Sequence, residues 1–470
     1  MSQQKKILLL GSGLMAQTVV DFLSKRSDNF IMIASNILKD AQALANGRKN
    51  CSACEVDVTN PNVFLLSYVP WTLHMHIAKA CLKEKKNLVT ASYIQPAMKE
   101  LNQDVENAGL TFLNEVGVDP GIDHIATMKV VDECAEKGEK ILEYESFCGG
   151  LPSPEYCDNP LGYKFSWSPI GALLALKNDA VYLLNGQPKN VGHEDLLYTA
   201  QKKDVNMSLS LEGYPNRDSV KYKELYRLND CQNLIRGTLR FYGFSVILNS
   251  MKALGLLDNQ NKVTQDGSWF ELLGNQVKDV KKIDQTVGKV VASLGLDKQQ
   301  SELVGKILTK SFANENYKDI CERDITEKAQ IIVSAYQTLG FFNPSNTVSS
   351  KETYLVNLVQ ILEKSCTLAE GETDMIVMQH KFKILRKDGS INNKKSTMIV
   401  IGQKNGFSAM AITVGTPTAL AAQLILDGKI TRKGVLMPNH KDIYQPLFDE
   451  LTNLGLMCKE QDSIVPAAKI

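Results

Sequence analysis

Short apolar runs alternate with segments of helical periodicity over the first part of the chain. The run at 5–10 is apolar and ends at a glycine, which is typical of a strand buried on both faces of a parallel sheet. The predicted strands are 5–10, 30–35, 55–58, 63–69, 87–92 and 110–116, and the predicted helices are 14–25, 38–47, 72–83 and 96–107. Strands that alternate with helices predict a doubly wound α/β domain with a parallel sheet.

The pattern changes after about residue 125. The segments 140–150 and 374–385 are longer and partly polar, which predicts strands of a mixed sheet. Residues 245–345 carry helical periods with charged faces and predict a small helical subdomain. A further helix is predicted at 416–428, with a threonine and a proline at its start and a glycine at its end. The fold class expected is therefore α/β followed by an α+β mixed-sheet domain with a helical insertion.

Composition and charge narrow the class of partner. The 470 residues are 44% hydrophobic, enough for two or three domains, and 53 basic residues balance 52 acidic ones to a net charge of +1. This balance predicts no nucleic-acid partner. The N-terminus lacks the features of a signal peptide, and no charge-free stretch of transmembrane length is expected, so we predict no membrane association. The ten scattered cysteines fit reduced thiols in a cytoplasmic protein.

A glycine-rich loop follows the first predicted strand. Residues 11–16 read Gly-Ser-Gly-Leu-Met-Ala, the G-x-G-x-x-A pattern of a dinucleotide pyrophosphate site. Gly11 allows the tight turn, Gly13 allows the backbone to approach the phosphates, and Ala16 allows the helix to pack on the strand. The alternative is a glycine turn in a flavodoxin-like domain. The position between a strand and a helix favours the dinucleotide site.

The tip of the second predicted strand bears on the choice of cofactor. An NAD site places an acidic residue there for the ribose hydroxyls, but this strand ends Ala-Ser-Asn, and Asp40 lies one helical turn further on. Asn36 would not repel a 2′-phosphate, and Lys39 is near enough in sequence to reach one. The sequence therefore favours NADP, with NAD possible; Ser35 and Asn36 could equally cap the next helix.

Two polar clusters follow later strands of the same predicted sheet. Ser92 and Tyr93 come at the end of the strand 87–92, and Asp119 and His124 lie in the segment after the strand 110–116. Ligands of open α/β sheets bind beyond the carboxyl ends of strands, so both clusters point to one crevice. His124 could instead be a polar residue in the first turn of a new helix, and Asp123 its cap. No metal is predicted, because the further ligands that a metal needs are absent.

Seven longer motifs carry a resemblance to a known family. They occur in the order VTASYIQPAMKEL, NEVGVDPGIDH, FCGGLPSPE, DNPLGYKFSWSP, EGYPNRDS, LIRGTLRF and GFSAMAITVGTP. Together they resemble saccharopine dehydrogenase of the glutamate-forming type, over essentially 5–465, with 260–345 matching less clearly. The resemblance implies a Rossmann domain at 1–125 to which 409–470 returns, a mixed-sheet substrate and dimer domain at 126–244 and 346–408, and a helical subdomain at 245–345.

The resemblance also implies a reaction and its residues. The family oxidises saccharopine with NAD(P)+ and water to L-glutamate and 2-aminoadipate 6-semialdehyde, or runs the reverse reaction in lysine biosynthesis, as a homodimer. Proton transfer would fall to Tyr93, Asp119 or Cys148. Saccharopine would contact Ser92, Tyr93, Asp119, Arg217, Arg236, Leu257 and Asp258, with the arginines pairing its carboxylates. The cofactor would contact Gly11, Ser12, Gly13, Leu14, Met15, Asn36, Asp57, Val58, Val69, Ser92 and Val118.

One departure from the family pattern concerns the connection between two predicted strands. Only residues 59–62 separate the predicted strands 55–58 and 63–69, whereas a parallel crossover needs a dozen or more residues. The family has a helix here, so the chain is short by one such unit. This departure leaves open an inactive variant that still binds the cofactor. A second alternative to an active saccharopine dehydrogenase is a related oxidoreductase of the same fold that acts on another amino-acid conjugate.

Overall fold

The computed structural model describes residues 4–56, 74–317 and 321–467. These residues form two compact units. The first unit contains residues 1–148, 221–231 and 375–470, and the second contains 149–220 and 232–374. The chain therefore passes between the units several times, and each unit is described by itself below. The finer division into three domains stays a prediction.

The elements are numbered in chain order. The N-terminal part has β1 (Lys5–Leu10), α1 (Leu14–Ser24), β2 (Asn29–Ser35), α2 (Leu38–Ala45), β3 (Cys51–Glu55), α3 (His74–Lys83), β4 (Leu88–Val89), α4 (Pro96–Glu100), α5 (Asn102–Asn107), β5 (Thr111–Leu113), α6 (Ile122–Lys137) and β6 (Lys140–Pro152). The C-terminal part has β14 (Asp374–Leu385), β15 (Ile391–Ile401), α15 (Ala409–Leu426), β16 (Gly434–Leu436), α16 (Lys441–Asn453), β17 (Lys459–Gln461) and β18 (Ile464–Val465).

The middle of the chain supplies the remaining elements. These are α7 (Pro169–Leu174), β7 (Ala180–Leu184), β8 (Gln187–Val191), β9 (Gln201–Lys203), β10 (Leu211–Pro215), α8 (Tyr222–Leu225), β11 (Asn233–Phe241), α9 (Phe244–Ala253), β12 (Gly267–Ser268), α10 (Trp269–Gln276), α11 (Gln285–Ala292), α12 (Lys298–Ser311), α13 (Glu322–Thr338), β13 (Thr347–Val348) and α14 (Tyr354–Cys366). Single 3₁₀ turns lie at Pro154–Tyr156, Ala175–Lys177, Leu196–Thr199 and Glu315–Tyr317.

Parallel strands organise the N-terminal part of the first unit. The described strands form two three-stranded parallel sheets, in the orders β1-β2-β3 and β16-β5-β4. Leu9, Ile31 and Ile33 are fully buried on these strands, and Val20 and Leu23 of α1 pack against them in one apolar cluster. Burial on the strand faces accounts for the apolar runs that the sequence shows, because helices cover a parallel sheet.

Two predicted boundaries in this part were wrong. The third strand is β3 at Cys51–Glu55 rather than 55–58, and it pairs with β2 from Ile31–Cys51 to Ser35–Glu55. β3 is only half-buried, so its sequence lacks the apolar run used to find it. The helix predicted at 96–107 is divided into α4 and α5 at Leu101. The predicted strand 63–69 and the short connection 59–62 lie outside the described residues.

The long C-terminal helix also differs from its prediction. α15 begins at Ala409 rather than 416, because the Ser408 hydroxyl caps it by accepting a hydrogen bond from the Ala411 N–H at 3.0 Å. Pro417 therefore lies inside the helix. The expectation of no charge-free stretch of transmembrane length was wrong, since α15 is long and apolar enough to cross a membrane. Two-thirds of the helix (67%) is buried within the protein, as in the core helix of a globular unit.

Antiparallel strands complete the first unit. β14 and β15 form a long hairpin whose register runs from Met375–Ile401 to Leu385–Ile391. β17 and β18 pair with the outer side of β15, and the N-terminal part of β6 lies next to β14. The predicted strands 140–150 and 374–385 are confirmed as strands, with bounds that differ by two residues or fewer.

The second unit combines a small antiparallel sheet with helices. β10 pairs with β9 and β11, and β7 pairs with β8 and β11. Helices α9 to α13 lie in the region for which a helical subdomain was predicted. Their apolar faces form one large core around Trp269, Tyr336 and Phe341, all nearly inaccessible to solvent. The periodic apolar positions of this region are therefore core positions of an all-helical layer.

Candidate functional site

The glycine-rich loop joins β1 to the N-terminus of α1 in the first unit. The Gly11 N–H donates to the Ala34 carbonyl at 2.8 Å, which ties the loop to β2. Gly11 has a φ of +99°, a conformation that a residue with a side chain rarely adopts. Ala16 is fully buried in the core that α1 shares with β1 and β2. The local geometry therefore explains why this strand, turn and helix require small residues at 11 and 16.

The first turn of α1 fits an anionic ligand. No side chain caps the helix, and its first turn contains no acidic residue. The Ala16 N–H donates to the Gly13 carbonyl at 2.9 Å, whereas the N–H groups of Leu14 and Met15 come before the first regular hydrogen bond of the helix. A Cβ atom added at Gly13 would meet nothing within 4 Å, so the backbone faces open space. Helix N-termini attract phosphate through the N–H groups and the helix dipole. These features match the needs of a dinucleotide pyrophosphate.

The tip of β2 lies beside this loop. The Ser12 and Ser35 hydroxyls are 2.8 Å apart, and Ser35 Oγ also accepts from the Ile37 N–H at 3.1 Å. Ser35 therefore links the loop to the start of α2. Asn36 and Lys39 follow at the surface, and no acidic residue occupies the strand tip. This arrangement suits a phosphorylated ribose better than a free one.

Tyr93 and Asp119 meet beyond the ends of β4 and β5. The Tyr93 hydroxyl lies 3.3 Å from Asp119 Oδ1, and both residues are half-buried. The ammonium of Lys221, also in the first unit, lies 5.7 Å from the centroid of the Tyr93 ring. The structure therefore brings together two residues that the sequence placed 26 positions apart. A phenol and a carboxylate this close together are candidates for proton transfer.

The helix α15 connects this pair with the glycine-rich loop. A Cβ added at Gly415 would lie 2.8 Å from the Met15 carbonyl oxygen, so α15 and the first turn of α1 touch. A Cβ at Gly117 would lie 3.1 Å from Ala91 Cβ and 3.6 Å from Val414 Cγ1. Consecutive residues of α15 thus contact both predicted motifs. The cofactor loop and the segments around Ser92 and Val118 therefore belong to one region of the first unit.

A buried side-chain network supports the segment around Tyr93. Glu115 is 5% exposed, and its carboxylate accepts from the Ile94 N–H at 2.8 Å and from His124 Nε2 at 2.8 Å. His124 is fully buried, with its Nδ1 2.5 Å from the Tyr226 hydroxyl. Asp123 Oδ1 accepts from the Gly121 N–H at 2.6 Å, but Asp123 lies inside α6, so it is not the cap that the sequence suggested. His124 therefore lies in the first turn of α6, as the sequence suggested, and it belongs to a buried network of polar side chains.

Arg217 and Arg236, the two arginines predicted to bind substrate carboxylates, both lie in the second unit. Arg236 is buried on β11, and its N–H donates to the Ser219 hydroxyl at 3.0 Å. The Asn216 N–H donates to the Arg236 carbonyl at 2.9 Å, which holds the loop of the exposed Arg217 against the same strand. The motifs around Arg217 and Arg236 are therefore neighbours in space.

Arg240 was missed by the sequence prediction. Its guanidinium carbon lies 4.9 Å from the ring centroid of Tyr163 and 5.1 Å from that of Phe244, and the residue is only 7% exposed. Within the described residues, no acidic side chain pairs with Arg240, and its Nε has no hydrogen-bond partner. A buried cation with an unfilled donor suits an external carboxylate.

For the remaining residues predicted to bind substrate or cofactor, the structure gives less information about a ligand. Leu257 is 4% exposed and packs in the large apolar core. Asp258 binds the side chain of Asn261 and the N–H of Gln260, and these bonds hold its pKa below the usual range. Cys148 is half-buried on β6. Asp57, Val58 and Val69 lie outside the described residues. The site roles of all these residues stay predictions.

The sequence contained signals for the missed residues. Glu115 interrupts the apolar run 110–118, and a charged residue in a buried strand end needs a partner. His124 follows nine residues later and is that partner. Arg240 lies on the same face of β11 as Arg236, because side chains alternate along a strand. Among the described residues, no group of three or more His, Cys, Asp or Glu side chains could hold a metal.

Comparisons with known proteins show which family the chain belongs to. Residues 7–113 match the family model described as the saccharopine dehydrogenase NADP binding domain, and residues 117–456 match the saccharopine dehydrogenase C-terminal domain. The chain is 36% identical to saccharopine dehydrogenase [NADP(+), L-glutamate-forming] of Saccharomyces cerevisiae, over 97% of this chain and 99% of that protein. It is 34% identical to the protein of the same name from Pyricularia oryzae, over 97% and 99%.

Two further comparisons concern length and fold. The chain is 37% identical to the mitochondrial alpha-aminoadipic semialdehyde synthase of Rattus norvegicus. The match covers 99% of this chain but only 48% of the length of that protein. The solved structure of apo saccharopine dehydrogenase (L-Glu forming) from Saccharomyces cerevisiae superposes with a TM-score of 0.85 at 36% identity, over 98% of this chain and 100% of that one. The predicted fold class and family resemblance are confirmed.

Proposed function

The chain belongs to the saccharopine dehydrogenase family, and we propose that it catalyses the NADP-linked oxidation of saccharopine. Saccharopine, water and NADP+ give L-glutamate, 2-aminoadipate 6-semialdehyde, NADPH and a proton. The carrying observation is that consecutive residues of α15 lie beside Met15 of the glycine-rich loop and beside Gly117, two positions before Asp119 of the Tyr93–Asp119 pair. A dinucleotide site and a proton-transfer pair side by side are the two parts that an amine oxidation needs.

The first unit supplies the cofactor contacts in this proposal. The N–H groups at the start of α1 bind the pyrophosphate, and Gly13 leaves room for it. Asn36 and Lys39 face the 2′-phosphate, which explains the preference for NADP over NAD. When bound, the nicotinamide accepts hydride from the carbon next to the bridging nitrogen. Ser92 and Val118 complete the cofactor contacts, and Asp57, Val58 and Val69 remain predicted ones.

Tyr93 and Asp119 handle the proton of the bridging nitrogen. Hydride can leave only when that nitrogen has a free electron pair, so its proton must go to a nearby base. Asp119 is the base, and the Tyr93 hydroxyl, 3.3 Å from Asp119 Oδ1, orients it. The same groups then position the water that attacks the substrate imine. Cys148 remains a candidate for this proton transfer.

The three carboxylates of saccharopine require cationic partners. Arg236 and Arg217 are the partners proposed from the sequence, and Arg240 joins them because its buried guanidinium lacks an acidic partner among the described residues. A guanidinium binds a carboxylate through two parallel hydrogen bonds, which fixes position as well as charge. Leu257 and Asp258 remain proposed substrate contacts.

The cellular setting is part of the proposal. We propose a cytoplasmic homodimer that binds neither nucleic acid nor membrane, in keeping with the net charge of +1 and the absence of a basic surplus. Light scattering of the purified protein, with and without NADPH, measures the oligomeric state. A mass of one chain at all concentrations would contradict the dimer.

A spectrophotometric assay tests the proposed activity. The purified chain is mixed with saccharopine and NADP+, and NADPH formation is followed together with L-glutamate release. We expect equal amounts of both products, and loss of both in Asp119→Asn. NADPH formation only with a different N-linked amino-acid conjugate would favour the related oxidoreductase. Tight NADPH binding without turnover of any conjugate would favour the inactive variant.

A further inference from the structure

The strongest unexplained feature of the first unit is the geometry of Glu115. This residue has a φ of +58°, in the left-handed region that residues with side chains seldom adopt. It is 5% exposed, and it directly follows the strand β5 and its extension at Asn114. A buried charged residue in an unfavourable backbone conformation is held there by its surroundings. The contacts of Glu115 therefore indicate what the conformation achieves.

Glu115 forms hydrogen bonds with both sequence neighbours of Tyr93. Its backbone N–H donates to the Ser92 carbonyl at 3.2 Å, and its carboxylate Oε1 accepts from the Ile94 N–H at 2.8 Å. The residue thus brackets Tyr93 from the two adjacent peptide groups. The left-handed backbone conformation allows the main chain and the side chain of one residue to face the same segment. An ordinary strand residue would point its side chain away from that partner.

The second carboxylate oxygen of Glu115 is fixed by His124. His124 Nε2 lies 2.8 Å from Glu115 Oε2, and His124 Nδ1 lies 2.5 Å from the Tyr226 hydroxyl. His124 is fully buried and stacks 6.1 Å from the ring of Tyr222. A carboxylate held at both oxygens has one orientation, and a preorganised group positions its partners better than a mobile one.

We propose that Glu115, held by His124, is a positioning residue for the Tyr93–Asp119 pair. It does not touch the reacting atoms. It fixes the peptide groups on both sides of Tyr93, so that the hydroxyl stays within reach of Asp119 Oδ1. This inference rests on the proposed function, because it assigns Tyr93 and Asp119 to the chemistry.

The first test is a double-mutant cycle on turnover of saccharopine. Glu115→Ala is expected to lower kcat/KM for saccharopine at least about tenfold, and to change the NADPH dissociation constant less than about twofold. In a Tyr93→Phe background, the same substitution is expected to have an effect of under about threefold, because its route of action is gone. Equal effects in both backgrounds would overturn the proposal.

A conservative variant separates positioning from general loss of structure. The amide oxygen of Glu115→Gln can still accept from the Ile94 N–H, so this variant is expected to retain activity within about fivefold of wild type. If Glu115→Gln is as impaired as Glu115→Ala, the hydrogen bond to Ile94 is not what matters, and the proposal fails.

A measurement without turnover keeps the inference apart from the proposed function. Hydrogen–deuterium exchange of the peptide that contains Ile94 is expected to speed up at least about tenfold in Glu115→Ala, with peptides of α1 unchanged. Unchanged exchange at Ile94 would overturn the positioning role. If wild type fails to oxidise saccharopine while the exchange result holds, the proposed function fails, and the role of Glu115 in holding the segment stands.

Discussion

The cofactor loop and the Tyr93 segment are both parts of the first unit, but they are built differently. The loop at 11–16 is made of backbone: a positive φ at Gly11, uncapped N–H groups at the start of α1 and open space at Gly13. The Tyr93 segment is made of side chains, with Glu115 and His124 buried beneath it. A site formed by backbone N–H groups is blocked when a bulky side chain is added to it. A site formed by side chains is lost when any one of the residues that hold it is removed. Substitutions in the two regions are therefore expected to fail in different ways.

The largest expected effect is on the backbone site. Gly13→Asp places a carboxylate at the start of α1, where the pyrophosphate binds, and we expect NADPH affinity to fall more than about a hundredfold. The fold is expected to persist, because a Cβ at this position meets nothing within 4 Å. Titration of NADPH fluorescence measures the affinity. Gly13→Ala is the control for bulk without charge, and unchanged affinity in Gly13→Asp would contradict the pyrophosphate site.

The next largest effect concerns a charged substrate contact. Arg236→Ala removes a buried guanidinium, and a charge-assisted pair is worth about 1.5–3 kcal/mol. We expect the KM for saccharopine to rise roughly ten- to a hundredfold while the KM for NADP+ changes little. Arg236→Lys keeps the positive charge but loses the guanidinium that can form two parallel hydrogen bonds. Its KM for saccharopine is expected to lie between those of the wild type and Arg236→Ala. A lower melting temperature with an unchanged saccharopine KM would make Arg236 a structural arginine.

A smaller effect tests the cofactor preference. Asn36→Asp places a carboxylate at the tip of β2, where it repels a 2′-phosphate and can bind a ribose hydroxyl. We expect kcat/KM for NADP+ to fall about tenfold, with kcat/KM for NAD+ unchanged or raised. The parallel control Lys39→Ala weakens NADP+ alone. Equal losses of kcat/KM with both cofactors would show that the tip of β2 does not distinguish the 2′-phosphate from a free hydroxyl.

The smallest expected effect tests the contact between the two regions. Gly415→Ala adds a methyl group that would lie 1.9 Å from Thr18 Oγ1 and 2.8 Å from the Met15 carbonyl. Overpacking of this kind costs about 1–3 kcal/mol, so the melting temperature is expected to fall by several degrees. NADPH is expected to bind less tightly, because the start of α1 must shift. Gly274→Ala, on α10, is the control, because an added Cβ there meets nothing within 4 Å and Gly274 has no positive φ. Equal behaviour of the two variants would contradict the role assigned to α15.

The sequence predicted those parts of the molecule that depend on local pattern. The loop at 11–16, the strand tips and the long strands around 140–150 and 374–385 follow from apolar runs, glycines and turn residues. The third strand was misplaced because β3 is half-buried and its small residues show no apolar run. The start of α15 was placed too late because Pro417 was interpreted as a helix start, whereas Ser408 is the cap.

Parts of the candidate site that depend on distant partners were less predictable. The pairing of Tyr93 with Asp119 was anticipated only as a shared crevice, and its distance comes from the way that the strand ends approach each other. The roles of Glu115 and Arg240 depend on burial, which a single sequence does not display. His124 does lie in the first turn of α6, as the sequence suggested, but its contacts with Glu115 and with Tyr226, 102 positions away, are invisible in the sequence.

Isotope transfer from labelled saccharopine tests the central claim most directly. Saccharopine is deuterated at the carbon next to the bridging nitrogen on its lysine-derived side, and the products formed with NADP+ are examined by mass spectrometry. We expect deuterated NADPH together with unlabelled L-glutamate, because hydride leaves from that carbon and the other half of the molecule is released intact. Unlabelled NADPH accompanied by lysine would show that the opposite carbon–nitrogen bond is oxidised, and would contradict the account.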